Sequence, residues 1–227
     1  MHCHKPLTSL SSCFASALLG CCLLAPAWSD SDLASNSTSL EVIVKFSDDS
    51  DTAQRVDRIL EEHPMDLSEL AVSMEDLHRS TGFLLIPERI SSGREVILRI
   101  PEKPLLKKVE QTVAKRTDVA AAELVAIQSD NPRLPELQLL LHFHPSSDES
   151  ALLENAYGDS ANGERVQTLA AKLCADSGVP VIGTPQAGAA LAVTVDRYAL
   201  LEQLLARLHA LDDVDYAQPN STLQFMK

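Results

Sequence analysis

The sequence repeats itself, and that repeat limits the possible folds more than any single motif does. "LEVIVKF" (Leu40 to Phe46) returns as "LQLLLHF" (Leu137 to Phe143), so that Phe46 to Phe143 is a step of 97 residues. A longer match follows. "EVILRIPEKPLLKKVEQTVAKRTDVAAAELVAIQ" (Glu95 to Gln128) lies over "AALAVTVDRYALLEQLLARLHALDDVDYAQPNSTLQ" (Ala189 to Gln224). A step of 95 residues joins Leu105 to Leu200, Val109 to Leu204, Val113 to Leu208 and Val119 to Val214. Two segments that share strand, helix and strand at nearly one offset are a duplicated module.

Each copy reads as strand, helix, strand, strand, helix, strand. In the first copy, "DTAQRVDRILEEH" is a helix with Val56, Ile59 and Leu60 on one face. "GFLLIP" and "EVILRI" form a hairpin around "ERISSGR", and "KPLLKKVEQTVAKR" is a second helix with Leu105, Leu106, Val109 and Val113 on one stripe. "VAAAELVAIQ" closes the sheet. In the second copy, "GERVQTLAAKLCADSG" is the first helix, ended by Gly178. "PVIGT" and "AALAVTV" pair across "PQAG", "YALLEQLLARLHA" is the second helix, and "VDYAQPN" closes. This order predicts an α+β chain of two tandem ferredoxin-like (βαββαβ) sandwiches. Module 1 covers 40–130, a linker with Pro132 and Pro135 covers 131–136, and module 2 covers 137–227 with a tail at 221–227. "PMDLSELAVSMEDLHRST" reads as a short extra helix without an assigned place.

Ahead of the modules, residues 1–29 read as an export signal. Lys5 is followed by the apolar "CFASALLGCCLLAPAW" and then small residues that allow cleavage after Ser29. The apolar run is shorter than the roughly 20 residues that span a bilayer. Residues 30–39 are a polar spacer. The expected location is periplasmic or secreted. A second reading takes "LLGC" as a lipobox, with Cys21 as the lipidated residue. Removing the signal leaves Cys174 as the one thiol, on the apolar rhythm of a helix, so the domain is expected to hold together by its core.

The chain carries a net charge of −13, with all 32 acidic residues beyond the signal. That argues against nucleic acid and anionic membranes as partners. No Cys-x-x-Cys, glycine-rich phosphate loop or nucleophile elbow is present after the signal. The acidic runs read as caps and loops. The sequence therefore predicts a non-enzymatic protein without a cofactor. His142 and His144 alternate along a strand and form a weak metal-chelating candidate, with Asp148 and Glu149 nearby. The plain alternative is an exposed strand end.

The run Val214, Tyr216, Ala217, Gln218, Pro219, Asn220, preceded by "LLARLHALDD", resembles the last strand of the inhibitory prodomains of subtilisin-like serine proteases. Val119, Ala122 and Glu123 echo it weakly in the first copy. The resemblance implies a sheet that packs on the protease surface and a tail that enters the active-site cleft as a product does. It implies protease contacts from Tyr216, Gln218, Asn220, Thr222, Leu223, Gln224, Phe225 and Met226, with Phe225 or Met226 in the apolar pocket before the scissile bond. The family often has carboxylates where Gln218 and Asn220 stand, and their loss removes about 0.3–1 kcal/mol of charge–dipole energy at each. Inhibition or assisted folding of a subtilase is thus expected, without a protease segment after Lys227 and with module 1 as a spacer or second docking surface. The rival reading is an assembly module that binds another partner through its sheet surfaces. Tyr216 packing on its own sheet, Pro219 ending an edge strand and a frayed tail are the plain readings of the same residues.

Overall fold

The computed structural model describes residues 40–62, 66–127, 136–156 and 163–220. The signal, Cys21, the spacer, most of the linker and the tail from Thr222 to Met226 lie outside them. The order is β1 (Leu40–Phe46), α1 (Asp51–Glu62), a 3-10 turn (Ser68–Leu70), α2 (Ala71–Thr81), β2 (Ile86–Ile90), β3 (Glu95–Ile100), α3 (Glu102–Val113) and β4 (Val119–Ile127). The second copy gives β5 (Glu136–Phe143), α4 (Asp148–Ala156), α5 (Gly163–Ser177), β6 (Val181–Gln186), β7 (Ala190–Val195), α6 (Arg197–Leu208) and β8 (Val214–Pro219). The protein is α+β, with two four-stranded sheets whose pairings are all antiparallel.

The duplication extends to caps and turns. Ser50 Oγ accepts from Ala53 N and Ser147 Oγ from Ser150 N, both at 3.1 Å, so each opens its copy's first helix. Thr81 and Ser177 are buried, donate to the carbonyls of Leu77 and Leu173, and accept from Phe83 N and Val179 N. The next residues, Gly82 and Gly178, take φ of 73° and 69° and end their helices in the left-handed conformation that glycine adopts without steric cost. These matches give each copy two helices between its first and second strands. "PMDLSELAVSMEDLHRST" is therefore the counterpart of α5, and α4 is the element the sequence reading omitted. "DESALLENA" is only nine residues long and lacks a strong apolar stripe.

The closing strands correct the expected assignment. The sheet orders are β2-β3-β1-β8 and β4-β5-β7-β6. β8 pairs with β1, placing Ala217 opposite Val44 and Tyr216 opposite Lys45. β4 pairs with β5, placing Ala122 opposite Leu141. Each copy's final strand thus closes the other copy's sheet. The preceding helices go with them: α3 packs on α5, β4, β5 and β7, while α6 packs on α2 and β8. The units that fold together are not residues 40–130 and 137–227 but two interleaved halves.

Both crossings start at short connections. β3 ends at Ile100 and α3 starts at Glu102, leaving Pro101 as the whole connection. A residue before proline is held extended, and Pro101 itself sits at φ −75° and ψ 128°. Asp196 alone joins β7 to α6, at φ −75° and ψ 93°. Strand–helix connections commonly need two to six residues. These connections fall just short of that range, and each helix packs on the neighbouring half. There Leu106, Val109 and Val113 on α3, and Leu200, Leu204 and Leu208 on α6, are at 0% exposure. Truncating any of these leucines to alanine should cost about 2–5 kcal/mol.

Because the halves share elements, a cut in the linker should not part them. Cleavage at a protease site introduced within 128–135 is expected to leave two fragments that co-elute by size exclusion until denaturant is added. Separation into two folded fragments would contradict the exchange.

Candidate binding edge

The residues singled out by the prodomain resemblance form β8, at the edge of the first sheet. Alternation splits them between two faces. Val214 and Ala217 turn inward and are buried, whereas Gln218 is exposed on the outer face. Tyr216 reaches across β1 on that face, and its hydroxyl donates to Glu95 on β3. Ser91 Oγ donates to the same carboxylate at 2.8 Å. The Tyr216 hydroxyl, then Ser91, hold the Glu95 carboxyl below its ordinary pKa, and Glu95 in turn pushes the Tyr216 phenol up. Tyr216 therefore packs on its own sheet, as the plain reading had it, and ties three strands together.

The end of the strand is anchored. Asn220 N donates to Glu41 O at 3.0 Å and Asn220 Nδ2 to Glu41 Oε2 at 2.7 Å, and the residue is 8% exposed. The outer edge of β8 is blunted by His209, whose Nε2 lies 2.8 Å from Ala217 O and 3.2 Å from Ala217 N. The imidazole occupies the backbone groups that another strand would use. Sequence reasoning missed both Glu41 and His209. Glu41 opens a strand far away in sequence, and only the exchange brings it beside Asn220.

A second charged site holds the other crossing. Arg116, in the turn between α3 and β4, is 14% exposed; it pairs with Asp118 and lies 3.4 Å from Glu149 and 3.6 Å from Asp176. The exchanged turn is thereby fixed to α4 and α5. The Arg116 contact holds Asp118 below the usual carboxylate range, and Asp118 raises Arg116 in return. At the centre, Arg197 Nε meets Glu102 Oε1 at 2.5 Å. These are equivalent residues of the two copies, 95 apart, and each is the first residue of its crossing helix. Glu102 is 6% exposed, so removing that partner would leave a polar group buried at a cost.

The other candidates lie apart from this edge. His142 sits opposite Ala121 and Ala190, His144 falls one residue past the end of β5, and no group of three metal-ligating side chains forms among the described residues. Cys174 is free and half-buried rather than fully buried, packing on the core from α5. No helix of the described residues is long and apolar enough to cross a membrane.

Arg197→Met leaves the Glu102 carboxylate buried beside an apolar chain and is expected to destabilise the protein by about 3 kcal/mol in urea unfolding. The depressed Asp118 and Glu95 carboxyls stabilise the fold above their unfolded pKa values. That stabilisation should be lost as pH falls through their folded values, and Tyr216→Phe should move the Glu95 titration back up, as read by carboxyl NMR. Comparison with family models, with curated proteins and with solved structures finds no match to this chain.

Proposed function

We propose that the chain is an exported, non-enzymatic binding protein built like a subtilase prodomain, which inhibits or helps to fold a subtilisin-like serine protease. In this reading each half is a ferredoxin-like sandwich, completed by the helix and strand of the other copy. The observation that carries the reading is the placement of Val214–Pro219 as an edge strand pinned through Asn220, so that the segment after it starts from a fixed point. A rigid domain that pre-orients an extended segment lowers the ordering cost of binding. Residues 221–227 are the proposed insert, with Phe225 or Met226 before the position of the scissile bond. The docking sheet is then the one built on β1 and β3, which gives the first copy a direct role in place of that of a spacer.

The amide at Asn220 needs less compensation than the sequence implied. The Glu41 carboxylate, 2.7 Å from Asn220 Nδ2, supplies a negative charge where prodomains often carry their own. Such a charge at a partner's helix N-terminus contributes about 0.3–1 kcal/mol.

One observation favours the assembly reading. On the outer face of the first sheet stand Lys45, Glu95 and Arg99; their counterparts on the second are His142, Ala190 and Thr194. Ile182 on that second face is 41% exposed. This second face carries Glu123 and Glu136 and no lysine or arginine on its described strands, a charge pattern that suits a different protein partner.

Incubating the mature protein with a panel of subtilases tests the leading proposal. Micromolar inhibition that disappears on deletion of 221–227, and weakens about two- to fivefold in Glu41→Gln, is the expected result. Unchanged protease activity and no binding across the panel would reject it. An assembly module would keep its partner after the deletion.

A further inference from the structure

The two halves differ at one equivalent place, and the difference points to a ligand. In the second half the guanidinium of Arg116 fills a nest formed by Asp118, Glu149 and Asp176. In the first half the counterpart of Arg116 is Leu211, and no guanidinium takes that place. A groove of about 420 Å³ lies there instead. Its wall includes Asp213, Thr52 and Ser80, the counterparts of Asp118, Glu149 and Asp176. The register is fixed by shared hydrogen bonds: Ser47 N donates to Asp213 O and His144 N to Asp118 O, each at 2.9 Å.

The groove carries four carboxylates, as the equivalent place in the second half does, but two of them stand at new positions. Asp51 and Asp213 match Asp148 and Asp118, but Asp212 stands for Thr117, and Asp76 stands where the second half has Lys172. The carboxylates of Asp51, Asp212 and Asp213 have no hydrogen-bond or ion-pair partner among the described residues, while Asp76 is held by Arg79 at 2.8 Å. The one cation in the wall, Arg55, turns its Nη1 to Glu69 O at 3.4 Å. Beneath the rim the floor is apolar, with Phe46, Leu77 and Leu211. An acidic rim over an apolar floor suits an alkyl stem that ends in a planar cation.

We propose that this groove receives an arginine side chain from a protein partner, supplying from outside the guanidinium that Arg116 supplies within the second half. The site lies at the turn between α6 and β8 and does not depend on the subtilase reading. The partner's arginine would bridge α1, α2 and that turn, as Arg116 bridges α4, α5 and the turn before β4.

The test is an NMR titration of the ¹⁵N-labelled mature chain with acetyl-Gly-Gly-Arg-Gly-Gly-amide, beside the same peptide carrying citrulline, the neutral isostere. Saturable shifts confined to amides near Asp51, Asp76 and Asp213 are expected with arginine, with none from citrulline. Asp213→Asn, at an exposed position that keeps the fold, should weaken binding about tenfold. Leu211→Arg should abolish it, because the groove then holds its own guanidinium. Absence of saturable shifts, equal shifts with citrulline, or undiminished binding in Asp213→Asn would overturn the proposal.

Discussion

The exchange of helix and strand between the two copies governs this architecture. α3 and α6 bury their apolar stripes against elements of the other copy, and the two sheets thereby share one core. The exchange makes Pro101 after β3 and Asp196 after β7 the points where the chain crosses. It also accounts for the meeting of Glu102 and Arg197 where the two crossing helices start. A buried carboxylate at such a point is costly without its partner, so the pair acts against any arrangement that separates the crossings.

The halves share topology and diverge in chemistry. One crossing is fixed by a guanidinium in a nest of acids, Arg116 among Asp118, Glu149 and Asp176. At the other, Arg207 reaches from α6 to the carbonyl of Thr81 and lies 4.8 Å from the Phe83 ring centroid. The outer sheet faces diverge too: Lys45, Glu95 and Arg99 stand on the first, whereas the second carries Glu123 and Glu136 and no lysine or arginine on its described strands. A duplication that keeps its caps, turns and core while altering its exposed faces leaves stability to the shared part and recognition to the rest.

Much of this was legible in the sequence. The repeat, the apolar stripes of α3 and α6, the glycine that ends α5 and the α+β class follow from periodicity and turn chemistry. The exchange was not, because a βαββαβ order is satisfied equally by a strand closing its own sheet or its neighbour's. Strand boundaries drifted as well: "GFLLIP" read as a strand, but Gly82 caps a helix and β2 begins at Ile86. The roles of Glu41 and His209 depend on partners more than 150 residues away in the first case and across a tight turn in the second. No local pattern announces either contact.

The exchange is tested most directly by cross-strand cysteines. Ile43 and Gln218 are opposite one another on the outer face of the first sheet. With Cys174→Ser as background, the pair Ile43→Cys and Gln218→Cys should form an intramolecular disulfide in the folded mature chain. The pair Leu140→Cys and Gln218→Cys, which puts the first cysteine at the equivalent position of the second sheet, should remain reduced. Efficient bridging of Leu140→Cys to Gln218→Cys, with none from Ile43→Cys, would show that each copy closes on itself and would contradict the account.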